Sequence, residues 1–327
     1  MGPTIVISES AGFSPEAMDL LRSAGSVVAA DLDRSGLYSA ASYADVLWIR
    51  LRHRIDEALL AKAGRLKVVV SPTTGWNHVD VDALGRRGIH LLSLRGETEF
   101  LKDVRATAEH TVALMLTVLR HIPRAVAEVR AGRWNRDAFR GSELYGKTVG
   151  IAGYGRLGRI VARYLRAFEA HVLVTDPKLP AGEIADDIRA VEIDELLHGS
   201  DIVSIHSDLR ADNIGWFSAQ MFEKMKWGSC FINTARGELI DETALLHSLE
   251  TGQVVAAGLD VLSNEDSDGM AQHPLVQYAK QHDNVIITPH LGGCTTESLH
   301  KTEKFLAEKL CRLLSEQGFQ KELKAAG

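Results

Sequence analysis

An α/β protein of two doubly wound parallel-sheet domains is the architecture this sequence predicts, and three observations predict it. Short apolar strand candidates alternate with helix patterns along nearly the whole chain, as parallel sheets covered by helices require. The alternation falls into two sets, separated by one long apolar helix pattern. The chain has 327 residues, of which 45% are apolar, enough for two ordinary cores at ~100 to 200 residues per domain. In the first set, strands are expected at 4–7, 27–30, 46–49, 67–70 and 89–92, with helices after Pro15, Asp56 and Asp80. Residues 106–122 are apolar on nearly all faces, which suggests a helix buried between domains or between subunits, ended or kinked by Pro123. In the second set, strands are expected at 148–152, 171–175, 201–205, 230–233, 254–259 and 285–288. The polar, charged segment from Thr295 to Lys324 reads as a last helix that packs back on the first domain.

The second set opens on Thr148-Val-Gly-Ile-Ala-Gly153-Tyr-Gly155-Arg-Leu-Gly158, an apolar strand running into a glycine turn and a helix. This is the pattern of a Rossmann dinucleotide-binding turn. Gly153 permits the tight turn, Gly155 lets the backbone approach a pyrophosphate, and Gly158 allows helix and strand to pack closely. The helix N-terminus then faces the phosphates. Asp176 ends the next apolar stretch, at about the expected ~20 residues, where a carboxylate accepts from ribose hydroxyls and repels a 2′-phosphate. NAD is therefore expected rather than NADP. The turn names no activity by itself, because it serves dehydrogenases, methyltransferases and regulators alike.

Composition narrows the classes. A formal charge of -6 argues against a nucleic-acid surface. The longest apolar run, Val112 to Leu119, is far short of the ~20 residues that span a bilayer, and no basic segment leads into an apolar core with a cleavage site. A cytoplasmic protein without membrane contact is expected. Cys230, Cys294 and Cys311 have neither metal-ligand spacing nor the even count of a disulfide framework, so no metal site is expected.

Three later strand candidates end in polar groups, where ligands bind in open parallel sheets. They are Asn233-Thr-Ala-Arg236-Gly237, Gly258-Leu-Asp260-Val-Leu-Ser-Asn-Glu265 and Thr288-Pro289-His290-Leu-Gly-Gly. With Gly75-Trp-Asn-His-Val-Asp80 and Ala108-Glu109-His110, they resemble the D-isomer-specific 2-hydroxyacid dehydrogenase family, which includes D-3-phosphoglycerate dehydrogenase. The resemblance extends over most of the chain. It implies a Rossmann NAD-binding domain over 101–296 and a smaller, flavodoxin-like substrate domain formed by 1–100 plus 297–327. It also implies closure of the two over the substrate, a homodimer, and a catalytic set of Arg236, Glu265 and His290.

The implied activity is hydride transfer between a nicotinamide and a D-2-hydroxy acid or its 2-oxo acid. Such a transfer needs a proton donor for the carbonyl oxygen, a cation for the carboxylate, and a pocket that excludes water. His290 would donate the proton, with the Glu265 carboxylate favouring the imidazolium and fixing the ring. Arg236 would hold carboxylate and carbonyl oxygens in a fork that lysine does not reproduce. The resemblance further implies amides of Arg156 and Leu157 on the pyrophosphate, His206 beside adenine or ribose, and Thr234 and His290 on the nicotinamide side. Asp260 would accept from the nicotinamide amide.

Substrate recognition is expected from the first domain. Its third strand candidate runs into Trp48-Ile-Arg50-Leu-Arg52-His-Arg54, and residues two apart in an extended segment share a face. Arg50, Arg52 and Arg54 would then converge on an extra anionic group such as phosphate or phosphonate, as the likeness to the arginine-bearing loop of phosphoglycerate dehydrogenases implies. The turn Ser71-Pro-Thr-Thr74-Gly75 would offer backbone amides to the carboxylate. Three departures from the family pattern stand out: Thr73 in the carboxylate loop, Asp266 after the glutamate, and a longer, more charged loop from Arg95 to Arg105, where substrate choice is expected to differ. The alternative is an NAD(H)-sensing regulatory or corepressor-like binding protein, which a complete Arg236, Glu265 and His290 set does not exclude.

Overall fold

Two separate sheets organise the chain in the computed structural model, which describes residues 2–185, 187–265 and 269–315. They belong to two compact units, Met1–Val104 with Cys294–Gly327, and Arg105–Gly293. In the first unit β1 (Thr4–Ile7), α1 (Pro15–Ala24), β2 (Ser26–Ala29), α2 (Arg34–Tyr43), β3 (Val46–Trp48), α3 (Glu57–Leu60), β4 (Val68–Ser71), α4 (Val81–Arg86), β5 (His90–Ser93) and α5 (Thr98–Leu101) follow one another. The strands are all parallel, in the order β2-β1-β3-β4-β5, which is the flavodoxin-like order. Helix starts are set by caps. Ser14 accepts from the Ala17 amide and precedes Pro15 at the head of α1, and Asp33, Asp56 and Asp80 cap α2, α3 and α4. Helix α2 was not expected, since its buried face is only Leu37, Ala40 and Ala41.

The second unit runs α6 (Ala106–Leu119), α7 (Ile122–Arg130), β6 (Thr148–Ala152), α8 (Arg156–Ala167), β7 (His171–Thr175), β8 (Gly182–Ala185), β9 (Ile188–Ala190), α9 (Ile193–Gly199), β10 (Ile202–Ile205), α10 (Ala219–Lys224), β11 (Ser229–Asn233), α11 (Glu242–Thr251), β12 (Val254–Leu259), α12 (Pro274–Ala279) and β13 (Val285–Ile287). Its sheet is ordered β13-β12-β11-β10-β6-β7-β9-β8. Every pairing is parallel except β8 against β9, so the all-parallel expectation fails at this edge, where β8 is short and largely exposed.

Helix α6 has neighbours in its own unit that account for much of its apolar surface. It packs on β11, β12 and β13 and beside α8, with Ala108, Thr111, Val112, Leu114, Met115, Val118 and Leu119 buried. Gly258 makes room for it, since a Cβ there would lie 3.2 Å from Leu114 Cβ. Pro123 does not end this helix. His121 adopts left-handed backbone (φ 51), and the proline stands in the first turn of α7, where its missing N–H costs nothing.

The chain then returns to the first unit as α13 (Thr296–Ser315). Leu306, Ala307, Leu310 and Leu314 of α13 are buried in one cluster with Ile5, Ala17 and Leu21. Residues 316–324 of the expected helix lie outside the described residues. Among the described residues, no helix is long and apolar enough to cross a membrane.

Candidate active site

Strand β6 sits between β7 and β10, so successive connections leave it in opposite directions, and the carboxyl ends of the strands open a crevice at that switch point. Gly153 begins the turn there with φ 106, and a Cβ on it would stand 2.7 Å from the His206 carbonyl carbon. No other residue type fits both conditions. Gly158 is pressed against the turn in the same way, with a hypothetical Cβ 2.2 Å from the Gly153 oxygen. Gly155, the N-cap of α8, is different: a Cβ there would meet nothing within 4 Å. Gly155 heads α8, so this open side adjoins the helix N-terminus, whose positive end suits an anion.

Asp176 is fastened beside the turn, its Oδ2 accepting from the Tyr154 amide and its Oδ1 from the Lys178 amide, both at 3.0 Å. His206, at the end of β10, has Nε2 2.9 Å from Ser204 Oγ, and burial pushes its pKa down to about 4. The ring is therefore neutral near pH 7, a hydrogen-bonding group rather than a charge.

The remaining site residues follow β11, β12 and β13. Buried Asn233 shapes the first loop, its Oδ1 accepting from the Ala235 amide (3.0 Å) and its Nδ2 donating to the Arg236 carbonyl (2.9 Å). Gly237 lets this loop lie directly on the one after β12, since a Cβ there would be 2.1 Å from Leu262 C and 2.2 Å from Ser263 N. Ser263 is held in turn by Glu242, whose Oε1 accepts its amide at 2.8 Å while Oε2 lies 3.1 Å from His273 Nε2.

From this clamped loop Glu265 reaches His290, with Oε1 2.5 Å from Nδ1 and both side chains about three-quarters covered (26% and 21% exposed). An ionised carboxylate only accepts, so Nδ1–H is the donor. Burial lowers the pKa of Arg236, against the pull of Glu265, Glu238 and Asp260, and the guanidinium stays charged. Asp266, one of the departures noted in the sequence, lies outside the described residues.

Asp260 is 1% exposed, and its oxygens are already engaged. Oδ1 accepts from Thr288 Oγ1 (2.6 Å), the Leu291 amide (2.8 Å) and His110 Nε2 (3.1 Å), and Oδ2 accepts from the Gly292 amide (2.7 Å). Burial alone would raise this carboxyl, but these donors outweigh it and hold its pKa below the usual range. Asp260 thus organises the His290 loop, a role the sequence did not suggest. Thr234 is also turned inward, its Oγ1 2.8 Å from Thr111 Oγ1. His110 and Thr111 of α6, Thr288 and Glu242 were not among the expected site residues. Their partners are up to 178 positions away in the chain, so no local spacing could reveal them.

In the first unit the arginine trio does not share a strand face. Strand β3 ends at Trp48, before the alternation reaches Arg50. Arg50 turns to α13, where Nε (3.0 Å) and Nη2 (2.5 Å) donate to Glu303 Oε1, and Nη1 donates to the Ala11 carbonyl (2.8 Å). Glu303 is fully buried and also accepts from the Ser14 amide. Arg52 is exposed, 3.7 Å from Asp31, and Arg54 is exposed.

In the turn after β4, Ser71 Oγ lies 2.9 Å from Thr73 Oγ1 and 3.1 Å from His78 Nε2, and Thr73 Oγ1 donates to the Gly75 carbonyl. The threonine that departs from the family pattern thus braces the loop. Thr74 is exposed and Gly75 half-buried. The charged 95–105 loop is tied to α13 by a Glu97–Lys309 ion pair, by Phe100 stacked on Phe305 (3.9 Å), and by Lys301 donating to the Asp103 carbonyl.

Fold and site together define a doubly wound dinucleotide-binding protein with a carboxylate–imidazole pair at the strand ends. Residues 112–292, over half of the chain, match the D-isomer specific 2-hydroxyacid dehydrogenase family, NAD binding domain. The chain belongs to that family and carries its NAD-binding domain.

It is 37% identical over 279 residues to a D-3-phosphoglycerate dehydrogenase of Mycobacterium leprae, covering 85% of this chain and 51% of that protein. The chain thus spans about half the length of the phosphoglycerate dehydrogenases it matches. A hydroxypyruvate reductase of Thermotoga maritima is 32% identical over 288 residues, covering 88% of this chain and 90% of that protein. Among solved structures, D-lactate dehydrogenase from Aquifex aeolicus, complexed with NAD and lactic acid, matches with a TM-score of 0.80 at 26% identity over 98% of both chains.

Proposed function

We propose that this protein is an NAD-dependent oxidoreductase that interconverts a D-2-hydroxy acid and its 2-oxo acid. The observation that carries the reading is the 2.5 Å pair of Glu265 and His290, in the unit whose glycine turn holds the cofactor. The open space over Gly155 and the first-turn amides of α8 fit a pyrophosphate, and Asp176 beside the turn fits a ribose. When bound, the nicotinamide supplies or takes up the hydride. Glu265 fixes the His290 ring through Nδ1, which leaves Nε2 to give a proton to the carbonyl oxygen during reduction and to take it back during oxidation. Arg236, charged and largely buried, binds the carboxylate in two parallel hydrogen bonds.

The loop of Thr74 and Gly75 in the first unit is the proposed source of backbone amides for an anionic group of the substrate. A second anionic group on the substrate is the narrower form of the reading. It rests on Arg52 and Arg54, because Arg50 is committed to Glu303. The test is NADH oxidation with a panel of 2-oxo acids: glyoxylate, hydroxypyruvate, 2-oxoglutarate, and phosphorylated or phosphonylated acids. Turnover of at least one is expected, and NADH binding without any turnover points to a sensor instead.

A homodimer belongs to the same proposal. Helix α7 exposes Ile122, Val126 and Val129 on one stripe, the spacing by which an amphipathic helix meets a partner. A monomeric mass in solution would remove the dimer.

A further inference from the structure

We infer that His110 is a positioning residue for the acid–base group, acting on His290 through Asp260. The inference rests on His290 having the role proposed above. His110 lies one turn into α6, and among the described residues its polar partners are Asp260 and Thr288 rather than Glu265 or His290. Its Nε2 is 3.1 Å from Asp260 Oδ1 and 2.9 Å from Thr288 Oγ1. Since the carboxylate and the threonine oxygen both accept, a single Nε2–H serves the two. Thr288 in turn donates to the same Asp260 oxygen, and the Asp260 carbonyl accepts the His290 amide at 2.9 Å.

The amides of His290, Leu291 and Gly292 thus all donate to Asp260, to its carbonyl, Oδ1 and Oδ2 in turn, and His110 ties Asp260 and the Thr288 hydroxyl to α6. Thr107, one turn earlier in α6, supports the same loop, since a Cβ on Gly292 would stand 3.1 Å from its Cγ2.

The loop needs that tie. His290 has left-handed backbone, φ 53, which a residue with a Cβ holds only when its surroundings over-determine it. Asp260 supplies the over-determination with four side-chain acceptor contacts, and it is buried, so a lost donor is not replaced by bulk water. Removing the His110 donor lets the carboxylate shift toward its remaining partners. Because those partners are the Thr288 hydroxyl before His290 and the Leu291 and Gly292 amides after it, the imidazole moves with them.

The experiment compares His110→Phe, which keeps the ring volume without the donor, with His110→Gln, whose amide nitrogen takes the place of Nε2. His110→Asn, too short to reach Asp260, stands in if the phenylalanine variant does not fold. Two readouts are taken: steady-state reduction of the best 2-oxo acid, and the far-downfield proton of the His290 Nδ1–Glu265 hydrogen bond in the NMR spectrum. The phenylalanine or asparagine variant is expected to lose about 100-fold in kcat, the scale of an ångström misplacement, together with the downfield proton, while His110→Gln restores both.

The inference is overturned if His110→Gln is as slow as His110→Phe, if kcat falls with the proton signal intact, or if no variant differs from wild type. Should the wild-type protein reduce none of the acids, the reading of the reaction fails and the NMR signal decides alone. Loss in His110→Phe and recovery in His110→Gln then support positioning, and any other pattern overturns it.

Discussion

Gly237→Ala is a one-methyl test of how the Arg236 and Glu265 loops are held together. The added carbon would stand 2.1 Å from Leu262 C, 2.2 Å from Ser263 N and 2.6 Å from Leu262 O. All three are backbone atoms, so no rotamer change relieves the clash. Ordinary contact between such atoms is roughly 3.5 Å, and the two loops must part by about 1 Å or more. A displacement of that size costs about 100-fold in turnover, or about 2.7 kcal/mol of transition-state stabilisation. Overpacking of this kind destabilises the fold by about 1 to 3 kcal/mol.

The assay is kcat and KM for the reactive 2-oxo acid, with thermal unfolding on the same samples. Gly155→Ala is the control. It meets no atom within 4 Å, so its stability should match wild type while its NADH affinity falls, because the methyl occupies the pyrophosphate approach. Wild-type turnover by a folded Gly237→Ala protein would refute the claim that these loops are locked in register.

Asp176→Ala should raise kcat/KM with NADPH relative to NADH, since the carboxylate that repels a 2′-phosphate is gone; an unchanged cofactor ratio would leave Asp176 the structural role of holding the Tyr154 and Lys178 amides. His206 makes stability depend on pH. Its folded pKa is about 4 against 6.5 unfolded, so between these values the unfolded chain binds a proton that the native state refuses. The His206 contribution is fully present above about pH 6.5 and is lost as pH falls toward 4, by up to about 3 kcal/mol. Denaturant titrations of wild type and His206→Gln across that window should diverge, and parallel curves would show the imidazole to be solvated.

The parts of the fold that were legible in the sequence are those whose signal is local. The glycine turn could be placed because its signal is local: Gly153 and Gly158 answer close backbone contacts, and Gly155 leaves open space at the head of α8. Most strands of both sheets could be placed because burial on two faces leaves continuous apolar runs, as in β3, β4, β10 and β11.

What was not legible depends on packing. Helix α6 reads as apolar on nearly all faces, and only the fold shows that α8, β11, β12 and β13 are its neighbours. Pro123 looked like a stop, yet it opens α7 once His121 has turned the chain. The β8–β9 edge is too short and exposed to leave a pattern. Arg50 shows the limit most clearly: its alternation with Arg52 and Arg54 was read from sequence, but the strand ends at Trp48 and Glu303, 253 positions away, takes the guanidinium. At the site, His110, Asp260 and Thr288 also lie in segments the sequence singled out, but that they form one network behind His290 is shown only by the fold.

The central claim is that the Glu265–His290 pair moves the proton during hydride transfer. The most direct measurement follows NADH oxidation by wild type and His290→Ala with the reactive 2-oxo acid, while NADH binding is titrated on the same samples by fluorescence. The account predicts that the variant binds NADH as wild type does and largely loses reduction. Near-normal turnover by His290→Ala would contradict it.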